Sequence, residues 1–290
     1  MKLVNYESRG TTKVGVLREG KIVPVEDASS IEDLISRGTL EDTREKSGAA
    51  PEDPNKLRIR PPILAPDKVV LAAINYKAHS VEHKRAPPAE PYFFTKFRSC
   101  IIGNGDPILI PRISKSVDWE AELAVVIGKK CKYVSAAEAL SYVAGYTVAN
   151  DISFRDLQFP AGPANASSTE RNWVKGKALD SSLPLGPCLV TTDEIPDPQR
   201  LRISLKVNGT QRQNGGTDDM VFSVAQLIEH LSTGLTLLPG DVISTGTPAG
   251  VAAFSGAPFL KDGDVVETSI DKIGSLRNPV RAEDPPRPPL

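Results

Sequence analysis

The sequence predicts an α+β fold dominated by β structure: a mixed β-roll or barrel-like catalytic domain with a small N-terminal α/β domain. Three observations carry this expectation. Short β-branched runs separated by Pro and Gly turns recur from Leu57 onward, the pattern of a many-stranded sheet protein. Clear helix signatures are few. No G-x-G-x-x-G or Walker sequence is present, which removes the common doubly wound nucleotide-binding folds. A chain of 290 residues has room for one large domain, or one plus a small one.

The elements follow in order. Lys2–Tyr6, Lys13–Leu17 and Ile22–Val25 alternate as strands, with Glu19-Gly20 at a turn. Ser30 is a candidate N-cap for a helix over Ile31–Ser36 that Gly38 ends. The charged stretch Glu41–Asn55, containing Gly-Ala-Ala-Pro, reads as a linker, which sets a small domain and linker at 1–56. The catalytic domain then spans 57–282. Its expected strands are Lys68–Ala73, Tyr92–Lys96, Ile108–Ile110, Glu120–Ile127, Val143–Asn150, Cys188–Thr192, Leu201–Val207, Asp241–Ser244 and Asp264–Ile270. Ser135-Ala-Ala-Glu138 reads as a capping box for a helix closing at Gly145, and Ser223-Val-Ala-Gln226 as another for a helix closing at Gly234. Residues 283–290 are a Pro-rich tail.

Composition excludes several classes of function. The net charge is −1 and neither half is strongly basic, so nothing points to nucleic acid or an anionic membrane. No apolar stretch approaches the ~20 residues needed to span a bilayer. The opening MKLVNYESRG has neither the apolar core of a signal peptide nor the character of a transit peptide. Three scattered cysteines, Cys100, Cys131 and Cys188, make no disulfide framework or zinc knuckle, so the expectation is a cytoplasmic protein.

Chemistry concentrates in a few places. Glu120 and Glu122 open the apolar run Leu123–Gly128, and a strand's period of two puts both on one face. Two like charges buried together need a cation or protons to relieve them. Clustered carboxylate oxygens suit a hard divalent cation, Mg²⁺ or Mn²⁺, with Ca²⁺ a third candidate. The competing reading is a solvated strand end. Asp151, following the strand Val143–Asn150, adds a third carboxylate, although Asn150-Asp151 also fits a simple turn paired to Arg155. His79 and Glu82 stand at i, i+3 if Tyr76–Lys84 is helical, so the carboxylate can orient the imidazole as a general base. His79 and His83 at i, i+4 raise zinc, but no Glu follows His79 and no cysteine cluster is near. Lys175-Gly176-Lys177 is a cation-bearing turn. Ser244-Thr245-Gly246-Thr247-Pro248 is a Gly-rich loop whose N–H groups could nest a carboxylate.

Taken together, these segments resemble the fumarylacetoacetate hydrolase family over nearly all of residues 60–281. The resemblance rests on Asn75-Tyr76…His79…Glu82, Phe94-Thr-Lys96, Val117-Asp-Trp-Glu120-Ala-Glu122, Asn150-Asp151…Arg155-Asp156…Gln158, Asn172-Trp173…Lys177, Pro184-Leu-Gly-Pro187, Leu238-Pro-Gly-Asp241 and Thr245-Gly-Thr247-Pro-Ala-Gly250. It implies the family's β-roll and a homodimer, with Glu120, Glu122 and Asp151 as Mg²⁺/Mn²⁺ ligands. It also implies His79 and Glu82 as a water-activating dyad on a mobile lid, Lys177 beside the substrate, and Arg155, Gln158, Gly246 and Thr247 as substrate contacts. Three departures concern the pocket wall: Lys96-Phe97 where Lys-Pro is frequent, Gly250-Val251-Ala252 where Gly-Val-Gly is usual, and an insertion over Pro160–Ser168.

The function so implied is hydrolysis of a carbon–carbon bond in a short 2,4-dioxo acid of the acylpyruvate or fumarylpyruvate type. Water deprotonated by His79 attacks the distal carbonyl, and an enolate leaves with its charge held by the cation and Lys177. The same site suits oxaloacetate decarboxylation or keto–enol tautomerisation, dienedioate isomerisation, or dehydration of a 2-oxo-3-deoxy sugar acid. A binding protein in which the metal only stabilises the fold is the non-catalytic alternative. It makes His79, Glu82 and Lys177 dispensable.

Overall fold

A computed structural model describes residues 1–44, 50–160 and 171–284. The central part of the expected linker, nearly all of the expected insertion and most of the Pro-rich tail therefore lie outside the described residues. The fold is mainly β, as expected. An 11-stranded mixed sheet runs, in spatial order, Lys21–Val25, Thr11–Arg18, Lys2–Ser8, Leu183–Thr191, Val143–Asn150, Ala121–Ile127, Val242–Ser244, Val69–Ala72 and Phe93–Thr95, with Arg58–Arg60 and Ile101–Ile102 paired off this path. A 5-stranded sheet of Thr210–Gly216, Arg202–Val207, Val265–Ile270, Gly274–Ala282 and Ile108–Ile110 packs with it.

The middle of the large sheet is dry on both faces. Leu123, Val125 and Ile127 enter one core cluster while Ala124 and Val126 enter the other. A strand covered on both sides reads as a continuous apolar run rather than an alternating one, which is why this segment stood out in the sequence. The N-terminal strands belong to the same sheet: Lys2–Ser8 pairs with Leu183–Thr191, Leu3 opposite Leu189. Among the described residues no helix is long and apolar enough to cross a membrane.

Two expectations are corrected. The helix begun at Ser135 does not reach Gly145: Ala136–Ala139 passes through a single 3₁₀ turn, Leu140–Tyr142, into the strand Val143–Asn150. Ser135 Oγ bonds the Glu138 carboxylate at 2.7 Å and makes no cap bond to the backbone. Gly145 sits inside the sheet, where a Cβ would lie 2.3 Å from Val190 O, so close strand approach and not helix termination calls for glycine there. The strand expected at Cys188–Thr192 starts earlier, at Leu183, despite Pro184 and Pro187. Its pairing tolerates them because the register shifts between Tyr146, opposite Val190, and Val148, opposite Gly186. The second capping box is formed on both sides: Ser223 Oγ accepts from Gln226 N at 3.3 Å, and Gln226 Oε1 accepts from Ser223 N at 2.9 Å. It starts the helix Val224–Ser232.

Candidate active site

Sheet register brings the carboxylates together. Glu120 immediately precedes Ala121–Ile127, which pairs antiparallel with Val143–Asn150, Ala121 opposite Asn150. Asp151 therefore falls beside Glu120, and its N–H donates to Glu120 O at 2.8 Å. Glu120, Glu122 and Asp151 are buried and offer oxygens that all lie within 4.8 Å of one another. Among the described residues this is the one cluster of that kind.

The environment of each oxygen tests whether a divalent cation fits. Glu120 accepts from Arg155 Nη2 at 2.5 Å and from Lys177 Nζ at 2.6 Å. Burial pushes its carboxyl up, but Lys177 and Arg155 outweigh that and hold it below the usual carboxylate range. Glu122 is different, because its partners are neutral. Its Oε2 accepts from Ser244 Oγ and from Gly246 N, the latter at 3.1 Å. Burial, with Asp151 and Glu120 adding to it, raises this carboxyl well above the usual range. Asp151 Oδ2 accepts from Lys177 Nζ at 2.6 Å, while Oδ1 forms an ion pair with Lys96 Nζ at 2.9 Å. Burial raises Asp151 despite Lys177 and Lys96. A buried carboxylate whose hydrogen-bond partners are all neutral, beside two further buried carboxylates, is what a hard divalent ion would satisfy. The donor set fits Mg²⁺ or Mn²⁺.

The helix Lys77–Glu82 stands over this cluster and is shorter at both ends than the expected Tyr76–Lys84. His79 Nδ1 lies 3.0 Å from Glu82 Oε2, and Gly250 N donates to Glu82 Oε1 at 3.0 Å. Glu82 thus occupies Nδ1 and leaves Nε2 for the cavity that His79 lines. The segment is better anchored than its polarity suggests. Tyr76 is fully buried, His79 and Ser80 are buried, Ala78 N donates to Asp219 Oδ2 at 2.9 Å, and Val221 N to Asn75 O at 2.8 Å. His83 packs its ring 4.2 Å from that of His79 and 3.7 Å from Phe254. Burial, reinforced by His79, pushes the His83 imidazole down to about 2, so it is neutral at physiological pH. No third ligand joins the two histidines among the described residues, so the zinc reading has no site.

Several expected substrate contacts turn out to be bound to the protein itself. Arg155 donates from Nε to Asp118 at 2.8 Å and from Nη1 to Gln158 Oε1 at 3.0 Å, besides holding Glu120. Arg155, Gln158, Gly246 and Thr247 all line the cavity. Thr247 Oγ1 donates to Ala121 O at 2.9 Å and accepts from Gln213 at 2.8 Å. The Gly-rich loop does nest a carboxylate, but it is that of Glu122, through Gly246 N at a φ of 88°. Sequence reasoning gave Lys96 and Asp118 no role of their own. Lys96 is fully buried and donates to Ile152 O at 2.9 Å, to Ser182 O at 2.8 Å and to Lys177 O, which ties Asp151 to the turn carrying Lys177. Asp118 receives Arg155 and the Ala252 and Ala253 N–H groups, the latter two at 2.7 and 3.1 Å. A lone Lys and a lone Asp carry no spacing signal; only the fold shows where they point.

Gly176 couples two parts of the site. In the helix Trp173–Lys177 it packs on Gln158, and a Cβ there would lie 2.4 Å from Gln158 Cβ and 2.7 Å from its Cα. Gly176→Ala is expected to lower stability by ~1–3 kcal/mol, the usual range for overpacking, and to depress turnover by displacing Lys177. Thermal melts and steady-state rates check this; an unchanged melting temperature would show that the two helices separate freely.

The cavity over the carboxylates has a volume of about 530 Å³. It is lined by Glu120 and Glu122, by the packed rings of His79, His83 and Phe254, and by the stacked Phe94 and Trp173. Fold and site together define a mixed-β enzyme with a buried three-carboxylate centre. Residues 68–281 match the model of the fumarylacetoacetate hydrolase C-terminal domain, and the chain belongs to that family. Among its relatives, the chain is 48% identical over 220 residues to the mitochondrial oxaloacetate tautomerase fahd2 of Xenopus laevis, covering 76% of this chain and 67% of that one. It is 40% identical over 287 residues to 2,4-didehydro-3-deoxy-L-rhamnonate hydrolase of Sphingomonas sp. (strain SKA58), covering 97% and 96%. The crystal structure of maleylpyruvate hydrolase from Sphingobium sp. SYK-6 in complex with manganese(II) and pyruvate superposes with a TM-score of 0.77 at 27% identity, covering 98% of this chain and all of that one.

Proposed function

We propose that this chain hydrolyses the bond between C3 and C4 of a 2,4-dioxo acid, yielding pyruvate or a related 2-oxo acid and a carboxylate. The observation that carries this reading is the formed His79–Glu82 pair lining the same cavity as the three carboxylates. Glu82 accepts from Nδ1–H, so the lone pair of Nε2 is available to take a proton from water. Glu120, Glu122 and Asp151 would hold a divalent cation, which supplies positive charge and Lewis acidity for the oxygens of the acid. Lys177, held by Glu120 and Asp151, places an ammonium where negative charge develops on the departing enolate oxygen. Burial opposes that ammonium, but Asp151 and Glu120 keep it charged. Phe94 and Trp173 give the cavity an apolar wall that limits water near the reacting atoms. The relative matched over nearly its whole length is named for hydrolysis of an acid oxidised at positions 2 and 4, which supports this reading.

A second reading, keto–enol tautomerisation of oxaloacetate, is favoured by the higher identity to the tautomerase over 220 residues. It needs only proton removal at C3 and return, which His79 could also serve. Acetylpyruvate, oxaloacetate and a 2,4-dioxo-3-deoxy sugar acid, each with Mg²⁺ in ¹⁸O-water, separate the two. Hydrolysis predicts pyruvate or another 2-oxo acid together with a carboxylate carrying one ¹⁸O from solvent. Enol–keto conversion of oxaloacetate with no cleavage of either dioxo acid would replace hydrolysis by tautomerisation.

A further inference from the structure

The lining of the cavity holds a cation that the proposed chemistry does not use. Arg171 lines the cavity, and its Nε is buried with no hydrogen-bond partner. Its Nη1 donates to Tyr92 Oη at 3.4 Å, a long bond. The guanidinium carbon lies 5.6 Å from the Phe159 ring and 5.8 Å from the Trp173 ring. No carboxylate forms an ion pair with it among the described residues. Arg155 and Lys177 are committed to Asp118, Glu120 and Asp151. Lys84 and Arg85 also border the cavity but are exposed, so water solvates them. Arg171 is the half-buried cation of the lining with no anion.

Its place relative to the carboxylates is set by an aromatic stack. Lys177 Nζ lies 5.1 Å from the Phe94 ring, and Phe94 stacks on Trp173 at 4.8 Å and 15°. Arg171 joins this chain of contacts at Trp173, its guanidinium carbon 5.8 Å from that ring, with Tyr92 edge-on to Trp173 at 6.2 Å. A 2-oxo acid whose head group lies at Lys177 would run its tail along this wall.

We propose that Arg171 is the specificity-determining residue for the substrate's far end, and that it selects 2-oxo acids bearing a second carboxylate there. The inference rests on the proposed 2-oxo acid reading and deepens it. A guanidinium taken partly out of water on aromatic faces gains most from a carboxylate, which it meets with two parallel N–H donors. A hydroxylated tail offers only neutral oxygens, and an aliphatic tail offers none.

The test uses two non-cleavable six-carbon ligands that differ only at the far end, 2-oxoadipate and 2-oxohexanoate. Each is titrated calorimetrically into the Mg²⁺-loaded protein, with Arg171→Gln and Arg171→Lys alongside. The unmodified protein should bind 2-oxoadipate at least ~10-fold more tightly, the scale of a charge-assisted hydrogen bond in a partly dry site. Arg171→Gln should lose that preference while keeping its affinity for 2-oxohexanoate and for Mg²⁺. Arg171→Lys should keep part of it, because the charge remains but the two-donor geometry does not. Equal binding of the two ligands by the unmodified protein, or a preference that survives in Arg171→Gln, would overturn this inference alone and leave Arg171 as a stacking residue of the wall. Failure of both ligands to bind would overturn the 2-oxo acid reading along with it.

Discussion

Turnover should vanish in Glu120→Ala and in Asp151→Ala, and EDTA should reproduce that loss in the unmodified protein. The two variants carry a structural cost as well. Glu120 neutralises Arg155 and Lys177, and Asp151 faces Lys177 and Lys96, all in dry surroundings. Removing one partner from such a buried pair typically costs ~3–5 kcal/mol, so lost activity in these two variants does not by itself separate lost catalysis from lost folding. Glu122→Gln separates the two causes. Among the described residues Glu122 accepts only from Ser244 Oγ and Gly246 N, and a glutamine carbonyl can accept both bonds. This variant should melt close to the unmodified protein, yet bind Mg²⁺ or Mn²⁺ far more weakly and turn over poorly. Full activity in Glu122→Gln, or activity that survives EDTA, would remove the cation from the proposed mechanism.

His79→Ala should reduce turnover by ~10²–10⁴-fold, the contribution of a positioned general base, with little change in cation affinity. The geometry separates the two effects, because His79 is bonded to Glu82 and is not one of the three clustered carboxylate ligands. Glu82→Gln should lose turnover nearly as far. Glu82 meets Gly250 N and His79 Nδ1 through different oxygens, and an amide whose oxygen keeps Gly250 N turns its NH2 to Nδ1, which moves the ring proton to Nε2 and removes the base. Gly250 N can still donate to the amide oxygen, so the helix Lys77–Glu82 should stay docked. Steady-state rates and calorimetric cation binding on the same preparations decide the matter. A His79→Ala enzyme with normal rates would take the residue out of the chemistry. One that loses its metal would revive a role for His79 and His83 as ligands.

The chemistry-bearing residues were unusually legible because each sits in a local pattern with its own physical meaning. Two glutamates at a spacing of two before an apolar run can only share a face, and His79 and Glu82 at i, i+3 on a short helix can only be neighbours. The helix begun at Ser135 was misread for the opposite reason. Ser-x-x-Glu is a local signal, and pairing of Val143–Asn150 on both sides within the sheet overrode it one turn later. Arg155, Thr247 and Gly246, expected as substrate contacts, do line the cavity over the carboxylates. The structure spends their donors on Asp118, Glu120, Ala121 and Glu122, because buried carboxylates and strand carbonyls must be satisfied before a ligand arrives.

By itself the sequence marked a β-rich fold and set Glu120 with Glu122, and His79 with Glu82, on shared faces, since periodicity and short spacings dictate which side chains are neighbours. The expected roles of these groups and of Lys177 rested on the family resemblance. Only the tertiary structure decided what these groups meet. Antiparallel register set Asp151 against Glu120, Lys96 tied Asp151 to the turn of Lys177, and Arg171 was left on the aromatic wall with no anion among the described residues. Lys96 lies 55 positions from Asp151 and 81 from Lys177 in the chain, and no local rule reaches across such gaps. Contacts of that kind follow from which strands pair and in what register, a choice the whole core makes at once.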